Sequence, residues 1–170
     1  MIETQRLIIK PLTYEQLIKY VKCDNSLERE LNLKKVERII PDELIEALEN
    51  MILPSVADNS KDYLYSTLWT AILKDENRMI GELCMMGEPN VEGEVEIGYG
   101  IYDEYRNNGF MTEFVGGIIG WLKNQPKVKS ILASTEKTNI PSYRVLEKNM
   151  FSKIDEDNNL VQWKLICRKK

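Results

Sequence analysis

The sequence predicts an α/β fold in which a mixed, mostly antiparallel sheet of about six to seven strands is flanked by about four helices. Three observations support this prediction. The chain has 170 residues, 43% of them apolar, which suffices for one compact core, so we expect residues 1–170 to form a single domain. Strand patterns joined by a short turn come first, which indicates antiparallel pairing. Helical patterns then separate the later strands, which gives the sheet some parallel character.

The first half of the chain contains two predicted helices and three predicted strands. Thr13 is a suitable N-cap for a helix that extends to about Val21. A second helix is expected to begin near Pro41, a residue favoured at the first helical position. Its predicted apolar face consists of Leu44, Ile45, Leu48, Met51 and Ile52. Alternating apolar residues and turn signals predict strands at Arg6–Lys10, Leu68–Lys74 and Arg78–Gly87, of which the last two form a hairpin.

The second half alternates strands with helices. The predicted elements are a strand at Glu94–Tyr102, a helix from about Asn108 to Lys123, a strand at Val128–Thr135, a helix from Asn139 to about Asn149, and a hairpin around Glu156–Asn159. Three glycines interrupt the first of these helices, at Gly116, Gly117 and Gly120. Each costs roughly 1 kcal/mol relative to alanine. We therefore expect these glycines to let the helix backbone approach the sheet closely.

Composition excludes several classes of function. The formal charge of −4 and the pI near 5.1 provide no basic surface for nucleic acid, which we do not expect as a partner. The chain has no histidine and only three, widely spaced cysteines. We therefore predict neither a metal site nor a disulfide framework, and we expect a reducing cytoplasm. The opening residues carry charges and lack the apolar length of a signal peptide or membrane span, so no membrane is expected as a partner.

The segment RNNGFMT, residues 106–112, joins the strand predicted at 94–102 to the next helix. A helix N-terminus carries unpaired N–H groups and a partial positive charge, so it can hold an anion. Gly109 lets the backbone approach such a ligand closely. Taken alone, the segment is equally well interpreted as an ordinary loop with an asparagine N-cap.

A wider pattern favours the anion site. The segments EIGYGIYDEYRNNGFMTE (96–113) and NIPSYRVLEKNMF (139–151) resemble the GCN5-related N-acetyltransferase (GNAT) superfamily, specifically its ribosomal-protein N-acetyltransferase-like branch. The opening ETQRLIIKPL (3–12) and the late QWKL (162–165) resemble the first and last strands of that branch. The resemblance covers nearly the whole chain. It implies a GNAT fold with splayed parallel strands at the cofactor site, and acetyl-coenzyme A (acetyl-CoA) as co-substrate without a metal.

In that superfamily a loop of the form Arg/Gln-x-x-Gly-x-Gly/Ala binds the pyrophosphate of coenzyme A. The resemblance places the pantetheine arm along the strand that ends before this loop. It implies cofactor-binding roles for Gly100, Ile101, Tyr102, Arg106, Asn107, Asn108, Gly109, Phe110, Met111, Thr112, Asn139 and Ser142. Two residues depart from the pattern. Met111 replaces a glycine or alanine, which is tolerable if its side chain points away from the ligand, and Met150 replaces a glycine, so the turn after the last helix can differ in shape.

The acceptor amine must be neutral before it attacks the thioester. In a chain without histidine the natural base is a carboxylate, acting directly or through a water. The resemblance favours Glu96, because several members of the superfamily carry a base glutamate at this position. Glu94 and Glu82 are substitutes. The competing interpretation of Glu96 is an ordinary half-exposed strand residue.

The departing thiolate needs a hydrogen bond or a proton. Many relatives use a tyrosine seven residues after the helix asparagine, but here that position is Leu146. Ser142 and Tyr143 lie on the same predicted helix face as Asn139. The related branch usually has a serine near the sulfur, so we predict Ser142 for this role, with Tyr143 in reserve.

The predicted protein is an enzyme, an acetyl-CoA-dependent N-acyltransferase that moves an acetyl group to a primary amine. A peptide or protein N-terminal amine is the first expectation for the acceptor, with direct attack in a ternary complex. A small amine, such as a polyamine or aminoglycoside, is one alternative. A non-catalytic acyl-CoA-binding sensor is the other. We expect either a monomer or a homodimer.

Overall fold

The computed structural model describes residues 1–167 and arranges eight strands in one mixed sheet. The strands cross the sheet in the order β1-β2-β3-β4-β5-β6-β8-β7. Neighbouring strands are antiparallel, except β5 and β6, which are parallel. The bounds are β1 (Ile2–Glu3), β2 (Leu7–Pro11), β3 (Leu68–Leu73), β4 (Arg78–Met85), β5 (Glu94–Ile101), β6 (Ser130–Glu136), β7 (Ser152–Glu156) and β8 (Leu160–Ile166). The mixed α/β fold predicted from the sequence is confirmed, with β1 as an additional two-residue strand.

The helices lie on both faces of the sheet. They are α1 (Tyr14–Lys22), α2 (Ser26–Glu30), α3 (Asp42–Ala47), α4 (Leu53–Ala57), α5 (Phe110–Lys123) and α6 (Ile140–Lys148). Short helical turns occur at Tyr63–Tyr65 and Asp103–Tyr105. None of the helices within residues 1–167 has the length and apolarity that a membrane span requires.

Each face of the sheet has its own core. Residues of α1–α4 pack on β2–β4 in one core, and we call this side of the sheet the α1 face. Residues of α5 and α6 pack on all the longer strands except β7 in the other core, and we call that side the α5 face. On the α1 face the helices leave β5, β6 and β8 uncovered. Their side chains there are half-buried or exposed, apart from the buried Ser130.

Helix α1 follows directly from local sequence signals. The Thr13 side chain accepts from the amide of Gln16, and the Gln16 side chain accepts from the amide of Thr13. This reciprocal capping box satisfies two amides that a helix start otherwise leaves unpaired. The prediction of a helix capped by Thr13 is confirmed.

The helix predicted from Pro41 is confirmed at its start, and the chain stays helical to Ala57, but its middle is not a regular α-helix. Between α3 and α4 the chain forms a wide π-helical turn at Leu48–Ile52. Pro54 has no N–H to donate to the carbonyl four residues earlier, which explains why regular α-helical bonding stops here. The wider turn rotates Met51 outward, so that this predicted core residue is 52% exposed, while Leu48 and Ile52 are buried.

Helix α5 begins two residues later than predicted. Asn107 and Gly109 both have left-handed backbones, with φ of 62° and 75°, and Gly109 rather than an asparagine is the N-cap. The close approach to the sheet is confirmed at Gly117, where a Cβ would lie 2.5 Å from Cδ1 of Ile9 on β2. The prediction is wrong at Gly120, where a Cβ would meet no atom of residues 1–167 within 4 Å beyond its own stretch of helix.

The turn after α6 keeps a left-handed residue at Met150, whose φ is 66° and whose side chain is 77% exposed. A left-handed backbone lowers the stability of the fold by about 1–2 kcal/mol when the residue is not glycine. Glycine avoids this strain, but it lowers stability by about 0.4–1 kcal/mol because it makes the unfolded chain more flexible. We expect Met150→Gly to stabilise the fold by about 0.5–1 kcal/mol, measured by urea unfolding. Met150→Ala retains a Cβ and is the matched control. Equal stability of the two variants would contradict backbone strain as the cause.

Candidate active site

Strands β5 and β6 separate after four residue pairs. Their parallel pairing runs from Glu94–Ser130 to Ile97–Ala133. Beyond it, β5 continues along β4 to Ile101 and β6 continues along β8 to Glu136. A gap therefore opens between two parallel strands, as the resemblance implied.

The backbone of β5 leaves hydrogen-bonding groups free in this gap. The amide of Met86 donates to the carbonyl of Glu96, and the amide of Tyr102 donates to the carbonyl of Ile80. In an antiparallel pair such bonding positions alternate, so the even-numbered residues of β5 face β4. The amides and carbonyls of Tyr99 and Ile101 therefore face the gap.

A cleft of about 400 Å³ passes through the sheet at this gap. Ile97, Gly98 and Tyr99 line it from β5, the 134–136 segment lines it from β6, and Asn139, Ser142 and Leu160 complete it. Because this lining includes residues from both faces of the sheet, the cleft connects the α5 face with the uncovered part of the α1 face. The predicted Asn139 and Ser142 are thus brought together at one site.

Tyr99 spans the cleft between β5 and α6. Ser142 Oγ donates to the Tyr99 hydroxyl at 3.4 Å, and that hydroxyl donates to the Ser142 carbonyl at 3.4 Å. Burial raises the pKa of Tyr99 to about 12, so its hydroxyl stays protonated at neutral pH. The sequence did not single out Tyr99. Its place in the EIGYG segment, beside the predicted pantetheine strand, was the available signal.

The loop at 106–112 presents an uninterrupted set of free amides. From Asn107 to Thr112, no backbone N–H donates to an acceptor within residues 1–167, and the first donor of α5 is the amide of Glu113. The Met111 side chain is buried in the core, so this residue offers only its backbone to a ligand. Such an array at the positive end of a 14-residue helix fits a pyrophosphate.

Arg6, which directly precedes β2, and Glu113 in the first turn of α5 connect this loop to the sheet. Glu113 accepts from Nε and from the backbone amide of Arg6, both at 2.7 Å, and from Thr4 Oγ1 at 2.6 Å. Arg6 in turn donates to the carbonyl of Asn108 at 3.0 Å and lies 4.4 Å from the centre of the Phe110 ring. These contacts pre-order the start of α5. This pairing is not visible in the sequence, because 107 residues separate its partners.

The predicted phosphate ligand Arg106 is exposed and forms an ion pair with Asp103 at 2.8 Å. Exposed pairs of this kind contribute little to stability. The guanidinium can therefore exchange Asp103 for a phosphate at small cost.

Glu96, the predicted base, lies on the α1 face at the narrow end of the gap. It accepts a hydrogen bond from Ser134 Oγ at 2.8 Å, and Ser134 lines the cleft. Glu94, one of its substitutes, forms an ion pair with Lys164 at 2.6 Å, and this hydrogen bond lowers the pKa of Glu94. Glu94 is therefore occupied by a charged partner, whereas Glu96 forms no ion pair within residues 1–167.

The other substitute, Glu82, is surrounded by polar side chains under α1. Its Oε2 accepts from the Tyr20 hydroxyl at 3.2 Å. Burial raises the pKa of Glu82 to about 7, although Tyr20 and the charge of Arg38 act in the opposite direction. Arg38 itself is paired with Glu28 at 2.6 Å, and both side chains are at most 2% exposed.

Tyr143 lies away from the cleft. Its ring packs edge-on against Trp163, with centroids 5.1 Å apart, and Lys153 Nζ lies 4.7 Å from its ring centre. Gly100 faces β4 with its amide, and Tyr102 belongs to the polar group around Glu82. The roles that the sequence predicts for Gly100 and Tyr102 in cofactor binding remain predictions.

Comparison with known proteins identifies the class. Residues 6–152 match the family described as an acetyltransferase (GNAT) domain, and the chain belongs to this family. It is an acetyl-CoA-dependent N-acyltransferase. Among residues 1–167, no group of three or more histidine, cysteine, aspartate or glutamate side chains is arranged to hold a metal ion.

Individual relatives agree with this assignment. An uncharacterised N-acetyltransferase of Bacillus subtilis, YjdG, is 26% identical over 148 residues, which are 87% of each chain. A structure described as a putative ribosomal-protein-serine acetyltransferase from Vibrio cholerae has a TM-score of 0.65 at 15% identity, covering 97% of this chain and 96% of that one. A spermidine N-acetyltransferase from the same organism, in complex with CoA and spermine, has a TM-score of 0.65 at 14% identity and covers 98% of both. At such identities the structures share the fold, and their acceptors differ.

Proposed function

We propose that this enzyme acetylates the N-terminal amine of a peptide or protein. The carrying observation is the open approach to the cleft on the α1 face. Helices α1–α4 stop at β4, and the cleft residues Ser134 and Leu160 are exposed there. An extended chain can lie across β5, β6 and β8 with its first residue at the cleft, whereas no element within residues 1–167 covers this side of the cleft to enclose a small molecule.

The coenzyme fits the α5 side of the same cleft. The free amides at 107–112 suit its pyrophosphate. The free backbone groups of Tyr99 and Ile101 suit its pantetheine arm, whose amides can form hydrogen bonds with β5 as a neighbouring strand would. This arrangement leads the thioester through the sheet toward the α1 face. Acceptor and donor then meet from opposite sides, as direct transfer in a ternary complex requires.

The reaction begins when the ammonium group loses a proton to a carboxylate on the α1 face, for which Glu96 is the sequence-based prediction. The amine attacks the thioester carbon, and the amide of Tyr99 or Ile101 stabilises the oxyanion. The intermediate collapses as the carbon–sulfur bond breaks. Ser142 then donates a hydrogen bond to the departing thiolate.

A small polycation is the second candidate acceptor. Helix α3 and the turn after it expose Glu43, Glu46 and Glu49, and carboxylates of this kind attract a polyamine. A structural relative that binds spermine supports this candidate. A non-catalytic sensor would bind the coenzyme without turnover. The cytoplasm remains our proposed compartment, supported by free thiols at Cys23, Cys84 and Cys167.

A panel of amines tests the proposal. Peptides with different first residues, spermidine, spermine and aminoglycosides are each incubated with acetyl-CoA, and release of the coenzyme thiol is measured. We expect kcat/KM to be highest for a peptide. A preference for a polyamine would transfer the function to the second candidate, and tight coenzyme binding without any turnover would indicate the sensor.

Ser142→Ala tests the predicted leaving-group contact. Loss of one hydrogen bond to a charged partner costs about 1.5–3 kcal/mol, so kcat should fall roughly tenfold to a hundredfold. Affinity for acetyl-CoA, measured by calorimetry, should change little. Tyr143→Phe is the matched control and should have a small effect, because the Tyr143 ring packs on Trp163. The reverse order of effects would give the role to Tyr143.

A further inference from the structure

Glu82 lies directly across β5 from the gap. It is opposite Gly100 in the β4–β5 pairing, and its contact with Tyr20 fixes its side chain on the α1 face. A Cβ at Gly100 would lie 3.0 Å from Glu82 Oε1. The carboxylate therefore lies against the backbone of Gly100, which has no side chain. Gly100 belongs to β5, the strand that separates Glu82 from the gap.

The groups around Glu82 come from four parts of the chain. Tyr20 contributes from α1, Tyr102 from the end of β5, Arg38 from the segment between α2 and α3, and Cys84 from β4 itself. The Arg38 guanidinium also donates to the Tyr20 carbonyl at 3.3 Å and lies 4.3 Å from the centre of its ring. This framework fixes the Tyr20 hydroxyl and, through it, the orientation of the carboxylate.

We propose that Glu82 is the carboxylate that accepts a proton from the acceptor amine. This inference deepens the proposed acetyl transfer and rests on it. An ammonium group placed above Gly100 on the α1 face contacts Glu82 on one side. On its other side lies the thioester in the gap, and Gly100 has no side chain to stand between them. Glu96 lies on the same face of β5, four residues nearer the paired end of the strand, and bonds to Ser134.

The proton balance is simple. One proton passes from the ammonium to Glu82, and the freed nitrogen lone pair forms a bond to the thioester carbon. When the carbon–sulfur bond breaks, its electron pair leaves with sulfur. The nitrogen loses its second proton, sulfur gains one, and Glu82 returns its proton to solvent. The products are the amide, the coenzyme thiol and one proton.

The environment suits this role. A catalytic base works best with a pKa near the operating pH, and burial raises the pKa of Glu82 to about 7. Activity that depends on ionised Glu82 therefore rises with pH through about 7 and then levels off. The need is greatest for an amine with a pKa of about 10.4, as in a lysine side chain, and least for one that is already neutral.

The test compares Glu82→Gln with Glu96→Gln in pH profiles of kcat/KM. For an alkyl amine we expect Glu82→Gln to lower kcat/KM at neutral pH about a hundredfold, within the usual range for a lost general base. Its kcat/KM should no longer level off above pH 7 but should continue to rise toward the pKa of the amine, because only the neutral amine then reacts. The loss should shrink markedly for an acceptor whose amine is neutral throughout, an outcome that a merely misfolded site would not produce. Acetyl-CoA affinity, measured by calorimetry, should stay unchanged.

The controls separate the possible failures. Glu82→Asp keeps a carboxylate but withdraws it from Gly100, so its profile should still level off above pH 7, at a reduced rate. If Glu96→Gln loses this levelling and Glu82→Gln keeps it, the proton acceptor is Glu96 and the inference is overturned. Titration of the Glu82 carboxyl by carbon NMR, assigned by its absence in Glu82→Gln, is independent of turnover. A midpoint near 4.5 would overturn the role of Glu82, whereas an enzyme inactive toward every amine would refute the proposed function.

Discussion

Gly109→Asp is expected to weaken acetyl-CoA binding by roughly tenfold to a hundredfold. Gly109 is the N-cap of α5, in the middle of the free amides at 107–112. A carboxylate about 5 Å from a phosphate charge costs about 3 kcal/mol at an effective dielectric constant of 20. Arg6 Nη2 lies 3.6 Å from the position of the new Cβ and offsets part of this repulsion. Calorimetric titration with acetyl-CoA measures the loss.

Gly109→Asn is the matched control for this substitution. Asparagine and aspartate have nearly the same shape, and both tolerate the left-handed backbone better than other residues. The difference between the two variants therefore isolates the charge. It should shrink at high salt, because exposed charges are screened. Equal affinities of Gly109→Asp and the unmutated protein for acetyl-CoA would contradict the prediction that the pyrophosphate binds at this loop.

Arg38→Met is expected to destabilise the fold by about 3–5 kcal/mol, because it leaves a carboxylate buried without its partner. Arg38 and Glu28 pair at 2.6 Å, with side chains only 2% and 1% exposed. Without the guanidinium, the carboxylate of Glu28 loses its counter-charge while it stays shielded from water. Urea unfolding at neutral pH provides the measurement.

The double variant Arg38→Met, Glu28→Met is the control for this prediction. Within residues 1–167, Arg38 Nε and Glu28 Oε2 are both buried without a hydrogen-bond partner. The pair is thus incompletely satisfied, and apolar replacement of both members should recover most of the lost stability. A double variant as unstable as Arg38→Met alone would show that packing, rather than the unpaired charge, accounts for the loss.

The sequence was informative wherever the determinants are local. The capping box at Thr13, the hairpin of β3 and β4 and the glycine-containing loop before α5 each depend on residues within a few positions of one another. The π-helical turn before Pro54 is also a local effect, but apolar periodicity alone conceals it, because Met51 and Ile52 fit a regular helix equally well. Short elements such as β1 and α2 lack the length to show a period.

The candidate site was predictable only in part, for the same reason. The loop at 106–112 and the position of Ser142 follow from contiguous motifs. The contact of Tyr20 with Glu82 joins residues 62 positions apart, and the one between Tyr99 and Ser142 joins residues 43 apart. Such pairings follow from strand register and helix packing, which a single sequence does not specify. The sequence thus identified Glu82 as a carboxylate on a strand, but not its burial.

The separation of β5 and β6 has a consequence for how the protein holds together. Within residues 1–167, four parallel residue pairs alone join the strands β1–β5 to the strands β6–β8 in the sheet. In the complex that we propose, a pantetheine arm bonded to Tyr99 completes the missing ladder, so that the coenzyme acts as a removable strand between two halves of one sheet. Amide exchange at Tyr99 and Ile101 should slow on binding, and mechanical coupling between the halves should rise and fall with each catalytic cycle.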